Sequence, residues 1–152
     1  MSSGRLVYMN GNFVPEHEAK ISIFDSALMF GDMIFEMTRS FNKEQFKLRA
    51  HLERLYIGVK ILHIPLEMTI DEMEQACFET IEKNDAVFDN HDEHRLMINV
   101  SRGPLGIYAP VFDGKIEPTV VIADFPLKWT VAAMAPLFEQ GINAVIPSQR
   151  AI

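Results

Sequence analysis

The sequence has little of what staples or metallates a small domain. It holds one cysteine, Cys77, and one tryptophan. A single thiol excludes an internal disulfide and any multi-cysteine metal knuckle, and it suits a reducing compartment. Positive charge is the minority sign, with 14 Lys and Arg against 21 Asp and Glu, a net charge of −7. Nucleic acid is therefore not an expected partner, because neutralising phosphates takes a basic face. Long apolar runs are missing, so a span of ~20 apolar residues through a membrane is not expected. The opening MSSGRLVYMNG has no apolar stretch of the secretory type. Repeats and low-complexity tracts are absent too. The expectation is a soluble, cytoplasmic chain without a membrane or nucleic-acid partner.

What is present is core material. Of 152 residues, 48% are hydrophobic. A chain of this length buries roughly 68–70% of its unfolded surface and needs no staple. It makes one domain, or one domain and a piece of a second.

RLVYMNGNFV reads as two strands joined at Asn10-Gly11, which supplies the positive φ values of a two-residue hairpin turn. KISIFDSALMFGD reads as a short strand, then an irregular or one-turn segment ending at Gly31. Met33 to Phe41 is a strong strand, NKEQ a polar turn, and FKL a returning segment. Arg49 to Ile64 carries Leu52, Leu55, Tyr56, Val59 and Leu62 at helical steps, with Pro65 as the stop. Thr69 and Glu72 form a capping-box pattern for a second helix, with Ile70, Met73, Cys77 and Ile81 facing inward. HRLMINVS is a strand, and a long Gly/Pro loop leads to TVVIADF, apolar on both faces and so central. PLKWTVAAMAPLFEQG reads as a linker with a short helix ended by Gly141, and INAVIP as the first strand of a further unit. The sum is α+β: a mostly antiparallel sheet with two adjacent helices on one face. Residues 1–125 form this N-terminal unit, and 126–152 form a linker and the start of a truncated C-terminal domain.

Candidate sites each have a bland alternative. On the Met33–Phe41 strand the odd positions share one side, so Arg39 stands among Met33, Phe35, Met37 and Phe41. A strand-end arginine can snorkel to water or pair with a carboxylate, and pattern alone favours that. The functional alternative is a guanidinium at the mouth of an apolar pocket, gripping a small carboxylate by two parallel bonds. Glu36 faces the other way, either solvated or orienting an arginine. Arg54, beside the helical stripe, is either a surface residue or a phosphate anchor. In the strand from His94, Arg95 shares a face with Met97 and Asn99. Arg102 continues the opposite face of Leu96, Ile98 and Val100 into the loop. His91 and His94 flank Asp92 and Glu93, but nothing in that spacing converges ligands on a metal, and no metal is expected. RGPLG lacks the lysine and following helix of a phosphate loop.

In order, these segments resemble the N-terminal half of the class IV aminotransferases, pyridoxal-phosphate enzymes of fold type IV. The resemblance is carried by VYMNGNFVP, FGDMIFEMTRSF, HLERLYIGVKILHIP, NVSRG and FEQGINAVIPSQRAI, across nearly the whole chain. The family includes branched-chain and D-amino-acid aminotransferases, (R)-selective amine transaminases and aminodeoxychorismate lyase. The resemblance implies that Arg54 holds the cofactor phosphate and that Phe35 lines the substrate pocket, with Phe30 and Arg39 in the same region. It implies that Arg95 and Arg102 match arginines used on the pocket side or to trap a substrate carboxylate. Arg39, Arg95 and Arg102 thus compete for one anion, and the reading places Phe35 and Arg54 around one hollow.

The resemblance places the family's reactive lysine a little beyond the segment that IPSQRAI resembles, and so beyond Ile152. None of the seven lysines sits in a matching context, and no residue of the chain is assigned as catalytic. The resemblance therefore implies a transaminase part that is inactive alone, binds cofactor weakly or not at all, and self-associates as a remnant of a homodimer. FGD and SRG lean toward the D-amino-acid and amine-transaminase branch, and FEQGINAVIPS toward the branched-chain branch. Two alternatives stay open: part of a pyridoxal-phosphate-dependent aminodeoxychorismate lyase, and a non-catalytic domain that binds a small anion or a protein.

Overall fold

The computed structural model describes residues 4–146 and 148. Six strands form one sheet in the order β2-β1-β6-β5-β3-β4, and every pairing is antiparallel. β1 (Leu6–Met9) and β2 (Asn12–Pro15) are joined at Asn10 and Gly11, with φ of 43° and 85°. The Asn10 side chain accepts from Val120 N at 2.6 Å and donates to the Pro118 carbonyl at 3.1 Å, tying the turn to β6 (Thr119–Pro126). β6 lies between β1 and β5 (His94–Ser101), the central place its apolar composition predicts.

β3 (Met33–Phe41) runs beside β5 and turns through Asn42 and Lys43, both at positive φ, into β4 (Glu44–Gln45). The returning segment is thus Glu44–Gln45 rather than FKL. Glu93 stitches the turn by accepting from the backbone N–H groups of Asn42 and Lys43, at 2.8 and 3.2 Å, and from the Ser40 hydroxyl.

α2 (Leu48–Ile61) and α3 (Ile70–Asp85) cover one face of the sheet. α2 stops before Pro65, as expected, but three residues short of Ile64. His63 takes φ 51°, and Ile64 N–H folds back onto the Val59 carbonyl at 3.0 Å. α3 starts with both halves of the Thr69–Glu72 capping box formed. Leu52, Leu55, Met73 and Cys77 of the two helices are fully buried against Leu96, Ile98 and Ile122 of the sheet.

Three further expectations fail. No strand forms over KISIF; the segment is held by Asp25, which caps α1 (Ser26–Phe30) and accepts from Ser101 and Thr119 hydroxyls at 2.7 and 2.6 Å. The short helix of the linker is α4, 14 residues from Leu127 to Gln140. Pro136 is tolerated inside it because no α4 residue is buried, so water can satisfy the carbonyl it frees. α4 does end at Gly141. Residues 142–146 form no strand. Pro147 and the stretch from Gln149 to Ile152 lie outside the described residues. Among the described residues no helix is long and apolar enough to cross a membrane.

Gly103 closes the β5 loop against the backbone. Its φ is 77°, and a Cβ there would lie 1.9 Å from the Glu117 carbonyl oxygen. Side-chain rotation cannot relieve a backbone clash. Gly103→Ala is expected to cost more than ~2 kcal/mol, read as a lower urea midpoint at unchanged slope.

Candidate active site

β3 reverses the usual burial of a strand. Its even residues Glu36, Thr38 and Ser40 lie buried beneath α2 and the turn, while the odd face of Met33, Phe35, Met37, Arg39 and Phe41 stays open. Buried polar atoms must be paired, and these are. Thr38 donates to Gln45 Oε1 at 2.9 Å, and the Ser40 hydroxyl accepts from His94 N at 2.8 Å.

On the open face Arg39 stands directly opposite Arg95, with Met37 opposite Met97 and Phe35 opposite Asn99. Like charges facing each other across a pair of strands are destabilising. Neither guanidinium is bonded to a carboxylate among the described residues. Glu93 feels Arg39 only at a distance, its oxygens being taken by Ser40, Asn42 and Lys43. Arg39 donates to the Ser40 carbonyl at 3.1 Å and lies 4.0 Å from the Phe41 ring centroid. Arg95 lies over Phe125 of β6 and donates to the Thr130 hydroxyl of α4. The two border a cavity of about 270 Å³ with Met37, Phe46, His51 and Leu127. Two cations with no bonded carboxylate, set among apolar walls, suit a small carboxylate.

On the other face Glu36, 6% exposed, holds Arg54 in a fork: Nε donates to Oε1, and Nη2 to Oε2 at 2.7 Å. His51, one helical turn before Arg54, places Nδ1 2.8 Å from the same carboxylate. The carboxylate accepts only, so that nitrogen carries the proton. Arg54 bonding holds the Glu36 carboxyl below the usual carboxylate range, burial opposing it and His51 adding to it. The Arg54 side chain is 70% exposed, and its Nη1 has no partner among the described residues. Glu36 was legible only as one of two options, and His51 was missed. Its spacing from Arg54, combined with strand alternation at Glu36, was the available signal.

The remaining predicted residues separate. Phe35 is exposed on the open face, so strand alternation puts it opposite Arg54, and the single hollow expected for the two is not formed. His51 links the sides instead, touching Arg54 at 3.4 Å and lining the Arg39–Arg95 cavity. Arg102 is occupied: it donates to Asp32 at 2.6 Å and to the Leu62 and His63 carbonyls at 2.7 and 2.8 Å, locking the end of α2. Phe30, at the end of α1, is exposed and does not line the cavity. The reactive lysine expected beyond Ile152 falls outside the described residues. A larger hollow of about 940 Å³ between α3 and the β1–β2 turn is bordered by Glu67, Glu72, Glu79 and Glu117 and by no basic side chain, so it does not suit an anion.

Residues 33–152 match the family described as amino-transferase class IV. The chain belongs to the class IV aminotransferases. It is 36% identical over 146 residues to a putative branched-chain-amino-acid aminotransferase of Methanocaldococcus jannaschii, covering 95% of this chain and 46% of that protein. The crystal structure of the Escherichia coli branched-chain amino acid aminotransferase superposes with a TM-score of 0.67 at 26% identity, over 81% of this chain and 40% of that one. The T.th. branched-chain enzyme complexed with N-(5'-phosphopyridoxyl)-L-glutamate gives 0.65 at 27% identity, over 82% and 41%. This class IV aminotransferase chain therefore spans about half the length of the curated relatives it matches, and its fold is that of their N-terminal domain.

His94, weighed as a metal ligand, is a structural clasp in this aminotransferase chain. It is buried, with Asp124 at 2.8 Å and Asp85 at 3.1 Å on its two nitrogens and Phe88 stacked on the ring. No group of three metal-ligating side chains converges among the described residues. Burial disfavours the imidazolium, but Asp124 and then Asp85 outweigh it and raise the His94 pKa. A raised value stabilises the fold fully below the unfolded pKa of about 6.5 and is lost as pH rises through the folded one. Urea midpoints are expected to fall from about pH 6 upward, and His94→Gln to flatten that decline.

Proposed function

We propose that this chain forms the substrate-facing part of a pyridoxal-phosphate-dependent aminotransferase of branched-chain type, moving an amino group between an amino acid and a 2-oxo acid. The observation that carries the reading is the Arg39–Arg95 pair, opposed across two strands with no carboxylate of the described residues bonded to either. In this reading the pair binds the substrate carboxylate, and Met37 and Phe35 supply apolar wall to the substrate side chain. Arg102 is left out, since Asp32 and two carbonyls already take its donors.

The residues present fit the phosphate of the cofactor at one point. Arg54 is held from behind by Glu36 and keeps Nη1 and most of its surface outward, which is what a dianionic group requires. Bound pyridoxal phosphate supplies the electron sink for amino-group chemistry. None of the seven lysines lines the Arg39–Arg95 cavity. Lys43 pairs with Asp85, Lys128 with Asp89 and Asp92, and Lys83 lies over Phe13. The reading therefore takes the reactive amine from beyond Ile152. It also takes the protein as a homo-oligomer, supported by the apolar Ile21, Ile23, Leu28 and Phe30, all exposed within one short stretch of the chain.

Calorimetric titration with a branched-chain 2-oxo acid tests the carboxylate subsite. Arg39→Gln and Arg95→Gln are each expected to weaken binding by about 10- to 100-fold, the value of a charge-assisted bond. Arg102→Gln is expected to lower stability and leave affinity in place. Equal affinity in wild type and both cavity variants would sink the assignment.

A further inference from the structure

The Glu36–Arg54 contact is asymmetric. An ion pair that serves only the fold is worth little at the surface, and buried at both ends it must offset the desolvation of two charges. Here the carboxylate end is buried and the guanidinium end is 70% exposed. Glu36 takes two of the guanidinium nitrogens, which fixes the plane of the group as well as its position. His51 fills the remaining space on the carboxylate, bonding Oε2 at 2.8 Å. Arginine carries large rotamer entropy when free, and a fork fixed in advance removes most of what a ligand would have to order.

We propose that Glu36 is a positioning residue: with His51 it aims Arg54 so that the free Nη1 edge meets the cofactor phosphate, without itself touching the cofactor. This rests on the phosphate role given to Arg54 above. Glu36 lies on the helix face and the substrate carboxylate pair on the open face, so it reaches that pair only through His51. His51 also lines the cavity of Arg39 and Arg95, which makes it the one side chain common to both anion subsites.

Equilibrium titration of the protein with pyridoxal phosphate and with pyridoxal, which lacks the phosphate, separates aiming from folding. Lost structure weakens both ligands, whereas lost aiming weakens only the phosphorylated one. Wild type is expected to prefer pyridoxal phosphate, Glu36→Gln to lose at least tenfold of that preference with pyridoxal affinity unchanged, and His51→Gln to lose less. If Arg54→Gln abolishes the preference and Glu36→Gln keeps it, positioning by Glu36 is wrong and the phosphate role of Arg54 stands. If Arg54→Gln keeps the preference, or wild type has none, the phosphate role falls and this inference with it. Should Glu36→Gln not fold, side-chain relaxation of Arg54 Nε–H in wild type decides. An order parameter near the rigid-backbone value of roughly 0.85 supports the fork, and one below about 0.6 overturns it.

Discussion

A strand has two faces and a period of two, and in β3 that constraint governs everything functional. Glu36, Thr38 and Ser40 go under the helices, so Phe35, Met37 and Arg39 must stay out. The buried carboxylate of Glu36 then demands a cation. α2 provides Arg54 and His51 one turn apart on the side that faces it. That contact sets the outward edge of Arg54 on a helix already seated on the sheet by Leu52 and Leu55. A one-residue slip of β3 would put Phe35 against α2 and leave Glu36 on the open face opposite Met97 or Asn99, exchanging the two faces at once.

Much of the fold was legible because its signals are local and redundant. The Asn10-Gly11 turn, the capping box at Thr69, the stop before Pro65 and the end of α4 at Gly141 each rest on residues a few positions apart. The failures concern segments whose state depends on distant partners. KISIF has strand composition, but Asp25 takes hydrogen bonds from Ser101 and Thr119, 76 and 94 residues away, and these hold the segment as a loop. β4 is two residues long because Phe41 and Glu44 pair across a tight turn, which no propensity of FKL could reveal.

The site was legible by residue type and less so by partner. Arg39 and Arg95 were both singled out, but only the strand register sets them face to face. Arg102 had the same standing in sequence, and its engagement with Asp32 and the end of α2 is a tertiary fact. The separation of Phe35 from Arg54 was implicit in the alternation that placed Glu36 opposite Phe35, since adjacent strand residues cannot share a face. Family membership brought the class IV motifs into register along the chain, while the division of the arginines between structure and binding came from geometry.

Cys77 gives the helix layer an intrinsic reporter. The only thiol of the chain sits at zero exposure between α3 and the sheet, and burial pushes its pKa up to about 12. A thiol reagent reaches it only while that layer is parted from the sheet, so the labelling rate follows the opening equilibrium of the helices. Ligands that clamp α2 through Arg54 and those that sit on the open face can then be told apart by how far each slows the same reaction.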